Sequence, residues 1–217
     1  MAASQAGRAR PAAQTVPPGT QRRADARRNI ASIIDAATSC LAHDPDASVG
    51  DIARAAGVGR VTLYGHFNGR AELIDAVLTR TLADADATLD AVDTTGDPRE
   101  ALTRLVGASW RIVHQFRSVL HAAQRELPPE RIRAVHDRIL RRVRTLIERG
   151  QRTGQFRRDV PRQWLVTTTF SLMHAAADDC AAGRLRADDA ARVIAATLLA
   201  ALTPPGDTVP AVDTSRS

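Results

Sequence analysis

Residues 48–73 read Ser-Val-Gly-Asp-Ile-Ala-Arg-Ala-Ala-Gly-Val-Gly-Arg-Val-Thr-Leu-Tyr-Gly-His-Phe-Asn-Gly-Arg-Ala-Glu-Leu. Polar side chains recur within it at short spacing: Ser48, Arg60, Thr62, Tyr64, His66 and Arg70. A guanidinium at Arg60 can donate a bidentate pair to the O6 and N7 edge of guanine, and Val61 and the Thr62 methyl can touch a thymine methyl. The hydroxyls of Thr62 and Tyr64 and the imidazole of His66 suit phosphate oxygens, which fix register without reading sequence. Ser48 and Arg70 each stand at the start of a helical pattern, where free N–H groups and the helix dipole favour a phosphate. Leu63 and Phe67, interleaved with them, suit a core.

Two glycines thin this surface. Gly50 offers no side chain, and Gly65, inside the expected third helix, removes another at a cost of about 1 kcal/mol relative to Ala. Base reading therefore rests mainly on Arg60, with the arm before Arg22 as a further contributor.

A second group lies in the C-terminal half: Trp110, His114, Phe116, His121, Trp164, Phe170, Met173, His174 and Asp178. Trp110 and His114 are one helical turn apart, as are Phe170 and His174. A small-molecule pocket needs apolar walls with a few polar groups, and Trp110, His114, Phe116, His121, Phe170, Met173 and His174 supply both. Ordinary core packing is the competing reading of each aromatic. His174 and Asp178 lack a third ligand at metal-site spacing. No nucleophile elbow, phosphate loop or catalytic pair stands out, so we expect no catalytic residues, no metal and no cofactor.

These residues need helices to hold them. Apolar positions recur at three- and four-residue spacing with no useful strand alternation, which predicts an all-α chain of about nine helices. The first spans about 22–42, with Ile30, Ile33, Ile34, Ala37, Cys40 and Leu41 on one stripe. Ser48 and Asp51 form a capping-box variant that opens the second. Gly57 supplies the turn, and the third runs over about 60–67. A long fourth helix follows, then a fifth opened by Pro98 and bending near Arg117 into a sixth. The seventh follows Pro128 and Pro129, and its Arg131, Arg133, Arg138, Arg141, Arg142, Arg144 and Arg149 read as a solvated face. Asp159-Val160-Pro161 is expected to cap the eighth. The eighth and the ninth, about 187–202, are apolar nearly all round, so each needs cover on two sides. Two such helices from each of two subunits make a four-helix interface.

At 217 residues the chain is long enough for a sizeable core. Its formal charge is +6, and all thirty basic residues are Arg, which suits phosphate and guanine edges. Residues 1–28 hold six Arg against one Asp, a balance that suits nucleic acid. Cys40 and Cys180 read as two separate buried thiols. Without an apolar signal core or a membrane-length run, a cytoplasmic protein with no membrane partner is expected. Composition and helical patterns together are expected to divide the chain into a disordered basic arm (1–20), a helix-turn-helix DNA-binding domain (21–70), a helical ligand-binding and dimerisation domain (71–203) and a disordered tail (204–217).

The chain resembles the TetR family of transcriptional regulators. Asp51-Ile52-Ala53 with Ala56-Gly57-Val58 is similar to the family's second helix and turn, Thr62-Leu63-Tyr64 with His66-Phe67 to its recognition helix, and Glu72-Leu73 to the start of its fourth helix. The likeness is specific over about 24–75. Further on, Gly154-Gln155-Phe156 before Asp159-Val160 matches in layout. Gly50, Val61, Gly65 and Arg70 depart from the residues common there. The resemblance implies a bacterial homodimer joined through the two C-terminal helices. It implies a repressor that binds palindromic double-stranded operator DNA and is released by a small-molecule effector. The alternative from the thinned surface is a dimeric small-molecule-binding or interaction module with weakened DNA specificity.

Overall fold

The computed structural model describes residues 18–211, with side chains from Asp25 onward. The described residues form nine helices and no strand: α1 (Pro18–His43), α2 (Val49–Ala55), α3 (Arg60–Tyr64), α4 (Arg70–Leu89), α5 (Pro98–Gln115), α6 (Arg117–Glu126), α7 (Pro129–Arg152), α8 (Arg162–Ala181) and α9 (Ala187–Leu202). Helix α1 opens at Pro18, four residues before the expected start, so part of the expected arm is helical. The rest of that arm lies outside the described residues. The chain after α9 does not trail away at once. Asp207 N–H bonds the Pro204 carbonyl at 3.1 Å, and Pro210 and Ala211 lie near Arg99–Arg104 of α5. Residues 212–217 lie outside the described residues.

Local chemistry sets most helix starts. The Ser48 hydroxyl accepts the Asp51 N–H at 3.1 Å while the Asp51 carboxylate accepts the Ser48 N–H at 3.2 Å, a reciprocal box that satisfies two orphan donors of α2. Asp97 accepts the N–H groups of Arg99 and Glu100, and Pro98 fills the first position of α5, where no donor is needed. Gly57 adopts φ +69° between α2 and α3, a left-handed conformation that is cheap for glycine. Asp159 does not cap α8. Its carboxylate binds the Arg157 guanidinium at 2.6 and 2.8 Å, and Pro161 precedes the first turn instead.

Two apolar clusters organise the helices. One gathers Ile33, Ala37 and Leu41 of α1, Ile52 of α2, Leu63 of α3 and Leu73, Ile74 and Val77 of α4. It also takes in Val119, Leu120 and Ala123 of α6 and Ile132 of α7, so the N-terminal head packs on segments far along the chain. The other joins α5, α7, α8 and α9 through Leu102, Val106, Leu146, Ile147, Val166, Ile194 and Leu198. Burying each such side chain contributes roughly 1.5–3 kcal/mol.

The arginine face of α7 is not simply solvated. Arg131 makes a two-pronged contact with Asp75 of α4 at 2.6 and 2.9 Å. Arg142 and Arg138 reach Asp86 of α4 at 2.8 and 2.9 Å, and Arg142 also bonds Asp90 at 2.6 Å. The Asp86 side chain is almost fully enclosed, and a buried carboxylate without such partners would be strongly destabilising. A charged seam thus fastens α4 along α7.

Candidate nucleic-acid interface and interhelical cavity

Helix α3 is five residues long and puts Arg60, Val61, Thr62 and Tyr64 outward while Leu63 is buried. Val61 is 88% exposed and Tyr64 52%, the largest exposures of apolar or aromatic side chains in the head. Gly65 caps α3 rather than lying within it: its N–H bonds the Val61 carbonyl at 2.9 Å, and the His66 and Phe67 N–H groups both turn back to Leu63. The helix penalty expected for a mid-helix glycine therefore does not apply. His66 is half-buried in that turn, while Ser48 stays exposed at the α2 cap.

Arg60 and Gly50 are coupled. The Arg60 guanidinium lies over Gly50, where a Cβ would stand only 2.8 Å from Cζ and 2.9 Å from Nε. Real Cβ atoms do not approach so closely, so the bare backbone at Gly50 is what admits the guanidinium. The glycine that seemed to thin the surface is occupied by the arginine ten residues on. Ser48, Gly50, Arg60 and Tyr64 line one cleft of about 410 Å³, together with Arg70 and Arg125.

Arg70 is engaged inside the protein. Its Nε bonds Glu126 at 3.0 Å, its Nη2 donates to the Pro45 carbonyl at 2.8 Å and its Nη1 to the Ala47 carbonyl. The guanidinium ties the start of α4 to the α1–α2 turn and the end of α6, contacts that compete with the expected phosphate role of Arg70. Arg125, exposed beside it, pairs with Asp46.

The second site is a cavity of about 100 Å³ between α4, α5, α6, α7 and α8. Four of the expected pocket residues, Phe116, Phe170, Met173 and His174, line it. Three do not. Trp110 is buried with its indole N–H on the Ala187 carbonyl at 3.1 Å, facing the start of α9, and the exposed His114 stacks on it at 5.2 Å. His121 bonds Asp178 through Nε2 at 3.0 Å and meets Arg117 through Nδ1 at 3.2 Å, a polar cluster next to His174 that does not itself line the cavity. The sequence reading missed His136, although Ile132, His136, Ile139 and Val143 follow helical spacing on the inward face of α7.

His136 is buried, and its Nδ1 meets the Ile132 carbonyl at 2.7 Å. Burial pushes its imidazole below the ordinary value against that carbonyl's opposing pull. His174 is pushed down to about 4, first by burial and then by His136, with Asp178 opposing. Both rings are therefore neutral near pH 7. Phe170 packs beside both rings, 5.2 Å from His136 and 4.4 Å from His174.

Cys40 and Cys180 are free and only half-buried. Among the described residues no helix is long and apolar enough to cross a membrane, and no three His, Cys, Asp or Glu side chains gather as a metal site.

Comparison with known proteins agrees with this architecture. Residues 33–77 match the model of bacterial regulatory proteins of the tetR family, and residues 95–202 match that of the tetracyclin repressor-like C-terminal domain. The transcriptional repressor LfrR of Mycolicibacterium smegmatis is 38% identical over 79 residues, covering 36% of this chain and 42% of LfrR. The regulator TtgW of Pseudomonas putida is 46% identical over 57 residues, covering 25% of this chain and 42% of TtgW. The chain thus spans about two fifths of the length of the curated relatives it matches. Among solved structures, a TetR family regulator from Marinobacter aquaeolei has a TM-score of 0.64 at 21% identity, covering 84% of this chain and 98% of its own. The fatty acid degradation regulator FadR from Bacillus halodurans has 0.67 at 20%, covering 79% and 94%. With both halves matched in order and the helix-turn-helix in place, the chain belongs to the TetR family of DNA-binding transcription regulators.

Proposed function

We propose that this chain acts as a homodimeric repressor: it binds a palindromic operator through α3 and leaves it when a small molecule enters the cavity between α4 and α8. The observation that carries the reading is that the cavity and the DNA-facing head share walls. Leu78 of α4 and Val119 and Leu120 of α6 line the cavity and also belong to the core of the head. A molecule that alters their packing acts on the elements that hold α3.

In this reading Arg60 reads a base and Val61 and Thr62 touch neighbouring groove atoms. Tyr64, Ser48 and His66 position the backbone. The two subunits meet through α8 and α9, whose free faces carry Trp164, Thr167, Ser171 and Ala175 on one helix and Thr197 and Ala200 on the other. Trp164 is 62% exposed, and a large exposed aromatic on a face of small residues suits a subunit contact. Effector control has parallels in fold only: a FadR of Bacillus subtilis, 15% identical over 77% of this chain, has been seen with stearoyl-CoA.

A gel shift on the promoter DNA flanking its own gene, run across salt concentrations, tests the reading. Two protomers per palindrome are expected, with affinity falling as salt rises. A single protomer per site, or no binding at low salt, would overturn it.

A further inference from the structure

We propose that the cavity takes an uncharged single-ring molecule bearing a hydroxyl, held through that hydroxyl by His136 and His174. This rests on the effector-cavity reading above and adds the chemical class of the effector.

Size is the first constraint. The space is about 100 Å³. An apolar cavity of about 150 Å³ holds a benzene ring, so this smaller space takes at most one ring, with the walls yielding slightly, and excludes fused rings. Charge is the second. No Arg, Asp or Glu lines the cavity, in a chain with thirty arginines. A carboxylate or phosphate there would lie buried and unpaired, which is strongly disfavoured. The walls are hydrocarbon from Leu102, Val106, Val113 and Met173, among others.

Polarity is the third constraint, and it selects the hydroxyl. A neutral imidazole has one donor and one acceptor. Since His136 Nδ1 meets a carbonyl, it carries the proton, which leaves Nε2 as an acceptor. No described residue donates to that Nε2, and none hydrogen-bonds either nitrogen of His174. Both rings line the cavity, so a polar group of the ligand meets imidazole nitrogens there that no described protein group engages. Their centroids are 6.2 Å apart and their planes nearly perpendicular, with Phe170 against both. A hydroxyl seated between them donates to His136 Nε2 and accepts from the His174 N–H.

The test uses the full chain, calorimetric titration at pH 7.5 and three probes of one size: phenol, toluene and benzoate. Phenol should bind roughly two- to tenfold tighter than toluene, the ratio that a net neutral hydrogen bond supplies. Benzoate should not bind measurably. His136→Leu and His174→Leu should remove the preference for phenol while keeping toluene binding. Should these variants fail to fold, His174→Gln, which keeps a donor and an acceptor, should retain part of the preference. Equal binding of phenol and toluene would overturn the role of the imidazoles and leave the cavity reading intact. Tighter binding of benzoate would overturn the uncharged class. Probe binding that persists in Val106→Trp, which fills the space, would put the probe elsewhere and overturn the cavity reading itself.

Discussion

Arg70→Met separates an internal strut from a phosphate contact. The substitution keeps most of the apolar stem and removes the guanidinium. In the wild type that group serves Glu126, the Pro45 carbonyl and the Ala47 carbonyl at once, and its side chain is 24% exposed. Hydrogen bonds to a charged group contribute about 1.5–3 kcal/mol each, but water replaces part of that at a partly open site, and exposed ion pairs contribute about 0–1 kcal/mol. The three contacts also act as one unit, so their sum overstates the loss. We expect about 2–4 kcal/mol, which for a chain of this length lowers Tm by roughly 5–12 °C. DNA binding gives the discriminating readout. Each phosphate neutralised contributes about 0.9 to the slope of log K against log salt. Thermal melts and salt-series titrations of both proteins on one operator should show a lower Tm and an unchanged slope. An unchanged Tm with a slope shallower by about 0.9 would refute the internal role and restore the phosphate contact.

Two further outcomes are expected. Gly50→Ala should shift the flexible end of Arg60 from its seat, weakening operator binding by less than the roughly 1–3 kcal/mol of a lost bidentate base contact, with little change in Tm. In an Arg60→Ala background the same substitution should cost nothing further, so additive losses on titration would break the link between the two residues. Acid should destabilise the protein through His174, which faces His136 on α7, His121 on α6 and Asp178 on its own helix, with Arg117 bonded to the last two. Its imidazole sits at about 4 when folded against 6.5 when free. The unfolded chain therefore takes up the proton first, and stability is full above about 6.5 and lost as pH falls toward 4, by up to about 3 kcal/mol. Urea midpoints at pH 7.5, 5.5 and 4.5 check this, and His174→Phe should flatten the profile. A midpoint shift that His174→Phe leaves unchanged would assign it elsewhere.

Local signals carried well from sequence to structure, and long-range ones did not. The capping box of Ser48 and Asp51, Pro98 at the start of α5 and the left-handed turn at Gly57 involve atoms within a few residues, so residue type and spacing were enough. So was the inward stripe of Ile33, Ala37 and Leu41. The internal partners of Arg70, at 45, 47 and 126, come near only once α4 and α6 pack, so its position in the sequence signals only a helix start. The same holds for the arginines of α7, whose partners on α4 lie more than fifty residues away. Trp110 looked like a pocket wall because aromatics near a histidine suit one, yet the rotation of α5 turns its indole toward α9. His136 is a single imidazole on an aliphatic stripe, so only the helical spacing of Ile132, Ile139 and Val143 marks its face.

The placement of the cavity also bears on how binding could reach α3. Leu78 and Leu82 lie midway along α4, and Phe116, Val119 and Leu120 lie at the junction of α5 and α6. All five touch the cavity, and all five belong to or pack against the core of the head. Arg70 then links the start of α4 to Glu126 at the end of α6, so a shift of α6 is passed to the α1–α2 turn through its carbonyl bonds. On the far side the Asp75–Arg131 and Asp86–Arg142 pairs hold α4 to α7. Packed interfaces of this kind move as units rather than deform continuously. In the proposed effector response, displacing α6 relative to α7 would tilt α4 about its charged seam, and the head would move with α4 because Leu73, Ile74 and Val77 are sealed into its core.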